Sequence, residues 1–88
     1  MNPASKNERV MQIVRDTRMK RGEDFRSFAE SLGRELPDKM GYSHAALQAF
    51  ETGDYQPSVY RLRAIMQETH QEWVRIFMRE LLEAVEGG

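Results

Sequence analysis

The chain reads as all-α, built from five helices, and three observations carry that reading. Apolar residues recur at three- and four-residue steps along most of its 88 positions, the spacing that gathers them on one side of a helix. Glycine and proline punctuate those runs at Gly22, Pro37, Gly41, Gly53 and Pro57. No stretch alternates apolar with polar residues as a half-buried strand would, and there are no repeats or low-complexity tracts.

Residues 1–6 form a short polar lead, expected to be disordered. The first helix is expected from Asn7 to Arg21, with Val10, Met11, Ile13, Val14 and Met19 as its apolar side and Arg15, Lys20 and Arg21 outward. Gly22 ends it. Glu23 and Asp24 offer carboxylate acceptors to the free amides of a second helix, Phe25 to about Leu36, which turns Phe25, Phe28, Ala29 and Leu32 inward. Leu36 to Tyr42 is a break, because Pro37 disfavours helical geometry in its predecessor and Gly41 suits a left-handed turn. Ser43 caps a third helix that buries Ala46, Leu47 and Phe50 and stops at Gly53. Pro57 or Ser58 opens a fourth, with Val59, Leu62, Ile65 and Met66 inward; proline there lacks only an amide that the first turn leaves unpaired.

A fifth helix occupies residues 71–86 and carries two apolar stripes, Trp73, Phe77 and Leu81 on one and Val74, Met78, Leu82 and Val85 on the next. That is too wide for one surface of a small domain. One stripe is expected to meet a second copy of the chain, with Trp73, Val74, Met78, Leu82 and Val85 as homodimer contacts. The alternative is a helix that wraps its own domain and buries both stripes.

Length and composition bound the function. Eighty-eight residues make one domain with one modest core. There is no cysteine, hence no disulfide framework and no thiolate metal site. No apolar run approaches the roughly 20 residues of a membrane span, and no secretory signal pattern opens the chain, so a cytoplasmic protein without membrane contact is expected. The net charge of −1 hides an asymmetry: residues 1–43 hold nine Lys/Arg against seven Asp/Glu, residues 44–88 four against seven. A basic front and acidic tail allow phosphate contacts on one side only. The carboxylates sit in no glycine-rich, nucleophile-bearing or metal-spaced setting, and His44 and His70 stand far apart, so neither catalysis, a metal site nor a cofactor is expected.

Two elements in combination carry a resemblance: Ala29-Glu30-Ser31-Leu32-Gly33 on the second helix, and Glu51-Thr52-Gly53 followed by Pro57-Ser58 after the third. With Phe28, Ser43, Leu47, Phe50 and Leu62, the stretch from about residue 9 to 67 is similar to the Cro and repressor (xenobiotic-response-element) family of helix-turn-helix DNA-binding domains. The resemblance implies a five-helix lambda-repressor-like fold, with residues 7–70 as the DNA-binding domain and 71–86 as a helix for packing and dimerisation. It departs from the family where nine residues, Arg34 to Tyr42, separate Gly33 from Ser43, since such helices are normally joined by about four. The expectation is an extended loop, after a second helix that either continues to Leu36 or ends sooner.

In that family the first turns of the third helix lie in the major groove. By position, Ser43, His44, Ala45, Gln48 and Ala49 would meet base edges. Gln48 suits bidentate pairing with adenine, and the two alanines suit a thymine methyl. Phosphate contacts would come from Arg26, Lys39, Tyr55, Gln56 and Arg61. The resemblance also sets Arg18 opposite Glu51 as a structural ion pair, against the plainer reading of two independent surface charges. The function so implied is a sequence-specific transcriptional regulator, a repressor acting as a homodimer on double-stranded DNA. The competing reading is a protein-interaction module, such as an antitoxin or adaptor, that binds a partner protein through its last helix.

Overall fold

Every helix begins or ends on a residue whose local chemistry demands it. The computed structural model describes residues 6–37 and 40–87, and five helices make up the described chain: α1 Lys6–Lys20, α2 Phe25–Arg34, α3 His44–Thr52, α4 Val59–Glu68 and α5 Glu72–Glu86. The 1–6 lead falls, but for the backbone of Lys6, outside the described residues, and so do Asp38 and Lys39. Asp24, Ser43 and Ser58 each accept a hydrogen bond from the amide three residues on, at 2.8, 3.1 and 3.4 Å. That satisfies one of the donors a helix start leaves unpaired. Gly53 closes α3 in the left-handed conformation at φ +85°, and its amide donates to the Ala49 carbonyl. Gly22, at φ +67°, turns the chain out of α1.

The core is shared by all five helices. Val10 and Val14 of α1, Phe28 and Leu32 of α2, Leu47 and Phe50 of α3 and Leu62 and Ile65 of α4 meet Val74, Phe77, Met78, Leu81 and Ala84 of α5. Phe28 sits at the aromatic centre, 5.4 Å from Phe77 and 6.3 Å from Trp73 between ring centroids. Met19 departs from its expected inward place and is 57% exposed. The buried side of α1 follows Val10 and Val14 towards Thr17 and Arg18, and Met19 has already turned away from it.

Two further expectations change. The second helix ends at Arg34, two residues short of Leu36, which is nevertheless buried. The wide apolar surface of α5 is explained by packing: α5 lies against both α1 and α4. Val74 and Met78, expected at a homodimer interface, are wholly inside the protein's own core and have no surface to offer a second chain. Trp73, Leu82 and Val85 are half-buried against that core. At 100° per residue, Trp73 and Ile76 fall along one margin of the buried stripe and Leu82 and Val85 along the other. Among the described residues, no helix is long and apolar enough to cross a membrane.

The insertion before α3 is a closed excursion. A Cβ placed on Gly41 would lie 3.6 Å from the Gly33 Cα, so the loop returns to the last turn of α2, close to where it left. This is how α3 stays packed on α2 despite the extra residues.

Candidate nucleic-acid interface

The third helix divides its residues cleanly. Leu47 and Phe50 point into the core, Ala46 and Ala49 are half-buried, and Ser43, His44, Ala45 and Gln48 are exposed. The helix therefore presents a narrow outward strip with little bulk on it.

Its orientation is held from behind. Arg18 on α1 donates from Nε to Glu51 Oε2 at 3.0 Å and from Nη2 to Glu51 Oε1 at 2.9 Å, a two-point pairing between side chains only 19% and 13% exposed. The same guanidinium donates from Nη1 to the Glu23 carbonyl at 2.9 Å and lies 4.6 Å from the Phe25 ring centroid. One side chain thus ties α1 to the end of α3 and to the start of α2. The hydrogen bond to Glu51 holds the Arg18 guanidinium above its ordinary pKa, against the opposing cost of burial. Glu23 completes the junction. Burial pushes its carboxyl upward, but hydrogen bonds from Ser31, Arg21 and Ser27, with the Arg21 charge, outweigh burial and leave it below its usual value.

Two hollows flank the outward strip. A shallow one of about 300 Å³ is lined by Arg26, Ala29 and Glu30 of α2 with Ser43 and His44. It brings Arg26 beside the first turn of α3, together with a carboxylate the sequence reading had not assigned to this face. A second hollow of about 470 Å³ runs between α3 and α4, lined by Tyr42, Ala45, Ala49, Tyr55, Pro57 and Arg61 among others. Its wall is mostly apolar, and Tyr55 is 70% exposed beside it. Gln56 is exposed in the same turn, but its amide donates to the Asn7 side chain and fastens the turn to α1. Lys39 lies outside the described residues. Nine of the ten residues expected at DNA are therefore placed, all at or near one side of the molecule defined by α3 and its two flanks.

Tyr42 was not among them, and it is central to the site. It is 6% exposed, meets Phe50 edge-on at 5.1 Å, and carries the Arg61 guanidinium 4.6 Å from its ring centroid. Its hydroxyl is buried without a hydrogen-bond partner among the described residues, and burial pushes its pKa up to about 12. A signal was available: an apolar residue directly before a capping serine is the start of a hydrophobic staple.

The chain matches no family model, no curated protein and no solved structure. Away from α3, Trp73 and Ile76 line a hollow of about 390 Å³ between α1 and α5, rimmed by Lys20, Arg21, Asp16 and Glu80. Arg21 lies flat over Trp73 at 3.8 Å from the ring centroid, and Ile76 is 44% exposed.

Proposed function

We propose that the protein is a sequence-specific, double-stranded-DNA-binding regulator of the Cro and repressor type, a cytoplasmic repressor that occludes a promoter as a homodimer. One observation carries this reading: a serine-capped helix whose outward strip of His44, Ala45 and Gln48 is free, and whose back is fixed by the Arg18–Glu51 pair. A helix used to read a groove must be held at a fixed angle while its leading side chains stay open, and this arrangement supplies both conditions. Gln48 and His44 are the base-reading polar groups, with Ala45 and Ala49 apt for a thymine methyl. Arg26 and the Tyr55-Gln56 turn supply phosphate contacts. With so few long polar groups, direct readout is modest, and DNA shape and a second subunit supply the remaining specificity.

With Val74 and Met78 consumed by the core, the homodimer is assigned to the Trp73–Ile76 margin. Lys20 and Arg21 stand across from Asp16 and Glu80 around it, so that a two-fold axis sets each sign against its opposite. The half-buried Leu82 and Val85 lie along the other margin. The same exposed Ile76 also favours a second reading, a protein-interaction module such as an antitoxin or adaptor.

Titration against random duplex DNA at low and moderate salt separates the two readings. Binding that weakens steeply with salt supports the regulator, and its absence at micromolar protein removes it. Selection of sites from a random DNA pool then reports sequence, half-site spacing and symmetry together. For the dimer, light scattering on Ile76→Glu is expected to show a monomer; a wild-type chain already monomeric at high concentration rules the interface out.

A further inference from the structure

Arg61 lies on the first turn of α4, exposed and beside α3, which is where an arginine would reach phosphate. Its guanidinium is engaged elsewhere. Nη2 donates to the Gly41 carbonyl, and the plane of the group lies over the Tyr42 ring. These two residues immediately precede Ser43, whose hydroxyl caps α3 and whose neighbour His44 is the first base-reading residue. Tyr42 in turn rests edge-on against Phe50, one and a half turns further along α3. Arg61 therefore grips the returning end of the inserted loop, where Gly41 touches Gly33, and the grip passes through Tyr42 into α3. A loop of this length would otherwise leave the first turn of α3 free to fray, since a helix start held only by its cap opens readily.

We propose that Arg61 is a positioning residue for DNA recognition: by hydrogen-bonding Gly41 and stacking on Tyr42 it fixes the reading end of α3, and it does not contact phosphate. This rests on the DNA-binding reading above. It distinguishes Arg61 from Arg26, whose role there is electrostatic.

The two roles differ in what each variant does. A phosphate contact needs the charge, so Arg61→Lys would bind nearly as well as wild type, and Arg61→Gln would lower the slope of log K against log salt by about 0.9. A positioning contact needs the planar fork and the ring beneath it, which lysine does not reproduce. Expected instead is a loss of about tenfold in affinity for both Arg61→Lys and Arg61→Gln, with the salt slope unchanged from wild type. Tyr42→Leu, which removes the ring, should match them. Tyr42→Phe, which removes only the unpartnered hydroxyl, should bind as wild type does. In the DNA-free protein, amide exchange at Ala46 and Leu47 should quicken in Arg61→Gln while exchange at Leu62 and Leu81 stays put, a local effect that general destabilisation would not produce. Wild-type affinity in Arg61→Lys, or a lowered slope in Arg61→Gln, overturns the proposal. If wild-type protein binds no duplex DNA, the function itself fails, and the exchange experiment still decides on its own whether Arg61 holds α3.

Discussion

Replacing Arg18 with alanine removes four contacts at once: two hydrogen bonds to the Glu51 carboxylate, one to the Glu23 carbonyl and the stack on Phe25. It leaves Glu51 largely out of water with no opposite charge. For a fully buried pair the loss of one partner costs about 3–5 kcal/mol. Side chains 19% and 13% exposed retain some hydration, which brings the expected cost for Arg18→Ala to about 2–3 kcal/mol. In a domain of this size that lowers the Tm by roughly 10–20 °C. Glu51→Ala should cost less, because Arg18 keeps its carbonyl and its aromatic neighbour. The double variant should be less destabilised than the sum of the two, by about 1–2 kcal/mol, the coupling typical of directly paired groups. Replacing both with apolar residues, Arg18→Met with Glu51→Leu, should come close to wild-type stability. Urea unfolding followed by circular dichroism and by Trp73 fluorescence measures all four. Single variants that each cost under about 0.5 kcal/mol, with no coupling, would show an ordinary surface pair and refute the argument that α3 is anchored from behind.

Three other outcomes follow from the same geometry. Gly53→Ala should destabilise by about 1–2 kcal/mol, because alanine is strained at φ +85° and its Cβ would come within 2.9 Å of the Met11 sulfur; shortening Met11 to alanine in the same chain should recover the steric part only. Glu23 has a folded pKa below its unfolded value of 4.5, so its contribution is complete above that value and is lost as the pH falls through the folded pKa. Glu23→Gln should therefore lower stability at pH 7 and flatten the loss below pH 4.5, as read by thermal melts at several pH values. Glu30 shares the shallow hollow of Arg26 and His44, so Glu30→Gln should raise DNA affinity about two- to fivefold at low salt, and the gain should shrink as salt screens it.

The extent of the candidate site that was legible beforehand follows from what is local. Ser43, His44, Ala45 and Gln48 could be placed outward because Leu47 and Phe50 must face inward on the same short helix. Glu30 and Tyr42 could not be assigned to the site from their own neighbourhoods. Glu30 reaches it only because α2 packs beside the start of α3, and Tyr42 only because α4 brings Arg61 above it.

The sequence by itself determined the five helices, their capping residues Asp24, Ser43 and Ser58, and the left-handed stop at Gly53, since each depends on contacts within a few residues along the chain. Only the tertiary structure decided that the long insertion closes on itself at Gly33 and Gly41, that Arg61 is spent on that closure, and that α5 buries Val74 and Met78 in its own core. A repeat of apolar residues shows how much surface a helix must bury but not which partner covers it. Here α5 packs against both α1 and α4, and so two stripes that looked like one core face and one dimer face are covered by a single domain.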